Sequence, residues 1–149
     1  MFTCDGLLKQ HNWALTSFGI MLDHCERLSP DELARELPGF GHPSVRDQLV
    51  HIAGAEAFWV HSAQGMQWPH WKPEDYATAA EIAPLFEQAA EATRAYLAVV
   101  SDEALTVPIR VEWEPGVGVN LTLALMLSHI ITHGFHHKGQ VVAMCRLLG

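Results

Sequence analysis

The chain's 149 residues predict an all-α protein, a four-helix bundle with long crossover connections and space for a short β-hairpin before the last helix. Three observations carry this. Four stretches of about twenty residues or more space their apolar side chains at the helical period. Ser44 with Asp47, and Thr78 with Glu81, have the spacing of capping boxes, which satisfy the orphan amides at a helix start. Between these stretches, Pro and Gly cluster at 38–43, 65–73 and 115–118, where a helix cannot continue. The length suits one domain over residues 1–149.

The first helix is expected over 5–27, where Leu7, Leu8, His11, Leu15, Phe18 and Leu22 recur at helical spacing. Ser29-Pro-Asp-Glu32 opens a short helical turn, and a loop runs to Pro43. The second helix is expected over 44–64. The next stretch is turn-rich and displays Trp68 and Trp71. Thr78 starts the third helix, expected to reach about 100. From 102 to 120 the helical period breaks: Thr106 to Trp113 alternates, and Pro115-Gly116-Val-Gly118 reads as a turn. Asn120 then offers a cap for a long last helix ending near 148.

That last helix holds the most informative run, His129-Ile-Ile-Thr-His133-Gly-Phe-His136-His137-Lys-Gly-Gln140. Residues four apart stand one above the other, so His129, His133 and His137 form a column. Met126, Ile130, Val141 and Met144 fall within about 80° of His133 on the wheel, so the column interrupts an apolar, inward-facing stripe. Buried imidazoles need hydrogen-bond partners or a metal ion, and two at i and i+4 can share one ion. Gly134 stands where an H-E-x-x-H metalloprotease helix carries its Glu, which excludes that reading. His136 points about 100° away from His137 and belongs at the bundle edge.

Two imidazoles do not complete a site, since zinc and related ions take at least three protein ligands. The best third candidate is His51, which shares a face of the second helix with Ala55 and Phe58. Asp47, one turn earlier, either orients the His51 ring or caps the helix start. Glu56 lies about 140° round from His51, too far to share its ion, and is expected to pack against or pair with another helix.

Together, Ser44-Val-Arg-Asp-Gln-Leu-Val-His51, Glu56-x-x-Trp59 and His133-Gly-Phe-His-His137-Lys-Gly-Gln140 resemble the DinB-like (damage-inducible protein B) superfamily. The resemblance extends over essentially the whole chain, from Asn12-Trp13 to Arg146-Leu-Leu-Gly149. It implies a four-helix bundle with a triad of histidines, one from the second helix and two from the fourth, which here are His51, His133 and His137. Lys138 stands where the family pattern usually has Arg. The resemblance also implies metal-dependent S-transferase or isomerase activity with a low-molecular-weight thiol such as bacillithiol or mycothiol, or metal-dependent hydrolysis.

A net charge of −8, with nine scattered Lys and Arg, argues against nucleic acid as a partner. No apolar run approaches 18 residues and no signal-peptide pattern stands at the start, so the expectation is a soluble, cytoplasmic protein without a membrane partner. Cys4, Cys25 and Cys145 show no C-x-x-C spacing and read as reduced, packed thiols. Ala124, Leu127, Ile131, Phe135, Val142 and Cys145 give the last helix an apolar back, which predicts a homodimer through that surface.

No Ser-His-Asp arrangement or free general base is visible, so a metal, zinc or nickel, would carry most of the chemistry. His129 or Gln140 could contact a small-molecule substrate, and Trp68 and Trp71 could line its pocket or simply cover the core. Three functions follow as expectations. The first is a metal-dependent transferase acting with a low-molecular-weight thiol. The others are a metal-dependent hydrolase and a non-catalytic bundle that metal stabilises.

Overall fold

A computed structural model describes residues 2–149. Its helices are α1 (Cys4–Cys25), α2 (Pro30–Ala34), α3 (Val45–Ala63), α4 (Ala79–Val99) and α5 (Leu123–Leu148). Strands β1 (Pro108–Glu114) and β2 (Val117–Thr122) form an antiparallel hairpin between α4 and α5. Capping boxes start α2 at Ser29 and Glu32, α3 at Ser44 and Asp47, and α4 at Thr78 and Glu81. No helix among the described residues is long and apolar enough to cross a membrane.

Helices α1, α3, α4 and α5 make the bundle; α5 packs on α1 and α3, and α4 packs on the same two from the other side. Leu7 of α1 shares one apolar cluster with Leu127 and Ile130 of α5, while Cys25 shares the other with Met144 and Cys145. Helices α1 and α5 therefore run parallel. His51 and Trp59 of α3 face His133 and His129 of α5, so that pair is antiparallel. Ile82 lies in the cluster of Leu49, and Leu97 in that of Trp59, which makes α3 and α4 parallel. The segment from 64 to 78 must therefore run back along the bundle, and 100–122 links α4 to the antiparallel α5. Both long connections expected from the sequence are present, and 64–78 is the crossover.

Two sequence expectations need correction. Helix α5 is capped by Thr122, whose hydroxyl accepts from the Leu125 amide, because Asn120 is taken by β2 opposite Arg110. The apolar back of α5 is not free, because α1 covers it. Ala124, Leu127 and Cys145 are buried, and Phe135 packs between Trp13 and Phe18. Lys138, which breaks that back in the sequence, donates to the Ser17 carbonyl at 2.9 Å and to its hydroxyl, tying α5 to α1. Trp71 covers the core, one of the two roles that the sequence left open for it. The close approach of α1 and α5 requires Gly134, where a Cβ would lie 2.4 Å from the Phe18 ring.

A polar layer crosses the bundle between the two apolar clusters. His11 Nε2 and Glu56 Oε1 lie 2.7 Å apart, and Thr93 Oγ1 donates to the same carboxylate oxygen at 2.7 Å. All three residues are buried. Glu56 thus pairs with other helices, as its wheel position predicts, its Oε1 shared by His11 and Thr93.

A candidate metal centre between α3 and α5

His51 on α3 and His133 and His137 on α5 come together in one cluster, each offering a ring nitrogen, with all three atoms within 4.8 Å of one another. His51 Nε2 and His133 Nε2 are 3.2 Å apart. Tetrahedral zinc with N ligands at about 2.0–2.1 Å has a ligand-to-ligand edge of about 3.3 Å, so this spacing suits one shared ion. The antiparallel α3/α5 contact and the one-turn step from His133 to His137 produce the arrangement.

Hydrogen bonding fixes how His137 presents itself. Gln48 Nε2 donates to the His42 carbonyl at 2.9 Å and to Gln140 Oε1 at 2.7 Å. Its Oε1 is therefore the acceptor for His137 Nδ1, 2.7 Å away. His137 then carries its proton on Nδ1 and leaves the Nε2 lone pair free, the tautomer that a metal ligand on Nε2 needs. Burial, reinforced by neighbouring histidines, lowers the His51 pKa to about 3 and those of His133 and His137 to about 4. All three are neutral at pH 7, so protons do not compete for their lone pairs. A set of three neutral imidazoles with an orienting amide fits a divalent ion such as zinc or nickel.

Other sequence candidates are distributed differently. Asp47 does not reach His51; its carboxylate accepts from the Ser44 amide and hydroxyl in the capping box. Gln140 bonds Gln48 and His136 Nε2, so it braces the cluster and is not free for a substrate. His129 lies beside His133 with its ring edge-on to Trp59, and burial lowers its pKa. A cleft of about 400 Å³ opens over His51, His129 and His133, walled by Phe58, Trp59, Trp68 and Trp113. Trp113 sits in the register break between Glu112 and Glu114 of β1, where a bulge re-aims the side chain.

Two contributors escaped the sequence reading. Gln48 carries no metal-ligand signature, though its place one turn before His51's neighbour Ile52 puts it on a buried face. His42, in the loop before α3, stacks on the His51 ring at 3.8 Å between centroids. Its only sequence signal was a further histidine near a helix start.

The fold and cluster define a class: helical bundles with three histidines gathered between two antiparallel helices at a spacing that could hold a metal ion. The chain belongs to the DinB family, whose sequence profile matches residues 1–149. It is 30% identical over 128 residues to the uncharacterized protein YizA of Bacillus subtilis (strain 168), covering 83% of this chain and 76% of that one. The fold matches a crystal structure of a DinB-like protein from Bacillus cereus ATCC 10987 with a TM-score of 0.76 at 23% identity, covering 97% of this chain and 92% of that one. A conserved protein from Enterococcus faecalis matches with a TM-score of 0.72 at 18% identity, covering 99% and 98%.

Proposed function

We propose that His51, His133 and His137 hold a zinc or nickel ion and that the protein is a metal-dependent transferase acting with a low-molecular-weight thiol. The observation that carries this reading is the cleft over the triad, whose walls are aromatic and which no carboxylate or hydroxyl lines among the described residues. Glu56 and Asp47, the carboxylates nearest in sequence, are committed to His11 with Thr93 and to the α3 cap. An ion bound here supplies Lewis acidity, which lowers the pKa of a thiol or water and polarises a substrate.

The chain's own residues do the rest. Gln48 holds His137 in its ligating tautomer, and Gln140 holds Gln48. Phe58, Trp59, Trp68 and Trp113 exclude water and bind the apolar body of an electrophile. His129, whose pKa burial lowers, stands at the cleft wall and is placed to accept a proton from an incoming thiol. The same residue is what favours the runner-up reading, hydrolysis, because it could equally take a proton from water.

The experiment is turnover of an aromatic electrophile by zinc- or nickel-loaded protein, with and without bacillithiol, mycothiol or glutathione. Thiol-dependent turnover, lost in His133→Ala, supports the transferase. Turnover in water alone assigns the hydrolase, and none under either condition leaves the metal a structural role. Self-association is also proposed. With α1 covering the back of α5, its seat moves to Trp13, 66% exposed beside Phe135. Sedimentation velocity of wild type against Trp13→Glu tests it, and a monomeric wild type refutes it.

A further inference from the structure

Two thiols take no part in this chemistry, and the fold places them together. Cys25 ends α1, Cys145 lies near the end of α5, and both are buried where the parallel helices finish side by side. The two residues belong to one apolar cluster and line the same cavity. Interaction between the two thiols lowers the pKa of Cys145 and, with burial, raises that of Cys25, so the first proton to leave is that of Cys145. A cavity of about 720 Å³ opens on the pair, lined by α1, α2 and α5 and by no residue of α3. Arg27, Lys138 and Arg146 stand round it, against one carboxylate side chain, Glu32. They are three of only nine Lys and Arg in a chain of net charge −8, so this is a local cationic mouth on an acidic protein.

We propose that Cys25 and Cys145 form a redox-active dithiol that reduces a small anionic disulfide admitted through this cationic cavity. Cys145, as thiolate, attacks one sulfur of the small disulfide; the S–S bond breaks, and one half leaves as a thiolate that takes a proton from water. Cys25 then gives its proton to water and attacks the Cys145 sulfur of the mixed disulfide, expelling the second half. The two protein thiols lose two electrons, the small disulfide gains them as two thiols, and a Cys25–Cys145 disulfide joins the ends of α1 and α5. Cys4 is excluded. It lies at the opposite end of α1, its thiol donates to the Val100 carbonyl at 3.3 Å, and burial raises its pKa. This inference does not depend on the metal site.

The test exposes the reduced, full-length protein to oxidised glutathione, which carries net negative charge, or to cystamine, which is cationic. Alkylation and peptide mapping by mass spectrometry follow. Each rate is divided by that of N-acetylcysteine with the same disulfide. The expected product is a Cys25–Cys145 disulfide with Cys4 alkylated. Its normalised rate should be about ten-fold higher with oxidised glutathione, an advantage that Arg27→Glu/Arg146→Glu abolishes. In Cys25→Ser the reaction should stop at a glutathione adduct on Cys145. Equal normalised rates, modification centred on Cys4, or thiols that react only after denaturation would each overturn the proposal. Because the wild-type arm alone can do so, the test survives a variant that fails to fold.

Discussion

At the scale of single residues, the account turns on Gln48. A buried amide that accepts from His137 Nδ1 and donates to Gln140 and the His42 carbonyl leaves His137 one ligating tautomer. Gln48→Met keeps the volume and removes the acceptor. It should weaken zinc or nickel affinity by about 10- to 100-fold, read by competition with a chromophoric chelator. Unchanged affinity would mean that the amide does not orient the ligand. The triad histidines also set a pH dependence. Their pKa values in the fold, about 3 to 4, lie below the ordinary 6.5. Between those limits the unfolded chain binds more protons, so metal-free stability rises with pH. The melting temperature of metal-free protein should therefore fall as pH drops from about 6.5 toward 4, and His51→Phe should flatten that slope. The i, i+4 pair and His51 were legible because each interrupts an apolar stripe. Gln48 and His42 were not, since an amide and a loop histidine gain meaning only when tertiary contacts bring them to the cluster.

At the scale of elements, Gly134 sets how closely α1 and α5 approach. A methyl there meets the Phe18 ring, which is itself wedged against Phe86 and Phe135 and cannot swing aside freely. Overpacking of about 1–3 kcal/mol outweighs a helix-propensity gain of up to about 1 kcal/mol, so Gly134→Ala should lower stability in urea unfolding. Gly139, on the same helix and exposed, meets nothing within 4 Å, so Gly139→Ala should raise it by about 0.5–1 kcal/mol. Equal effects at the two positions would contradict this packing. Helix starts were readable wherever a capping box advertised them, as at Ser44 and Thr78. The start of α5 was misplaced by two residues because Asn120 is a good cap by type but pairs with Arg110 in the hairpin. Nor could helical spacing tell that the second apolar side of α5 faces α1, since a neighbour in the same chain and a partner subunit demand the same residues.

At the scale of the whole molecule, the triad joins α3 to α5, elements with α4 and the β-hairpin between them in the chain. Binding of an ion to the folded form alone raises stability by about 4 kcal/mol at a free concentration a thousand times Kd. At about 2–4 °C per kcal/mol for a chain of this size, saturating zinc or nickel should raise the melting temperature by roughly 8–16 °C, and a chelator should reverse it. A shift of the same size in His137→Ala would place the ion elsewhere. The bundle and its two long connections follow from four periodic stretches and the Pro- and Gly-rich segments between them. The parallel pairing of α1 with α5 does not, because several bundle topologies satisfy the same pattern.

The most direct test of the metal centre is bound metal per chain, measured by inductively coupled plasma mass spectrometry. Wild type is compared with His51→Ala and His137→Ala, with each fold checked by circular dichroism. The account predicts near-stoichiometric zinc or nickel in wild type and loss of it from both helical variants. A wild type that stays empty after zinc or nickel is supplied, or variants that keep the ion, would contradict it.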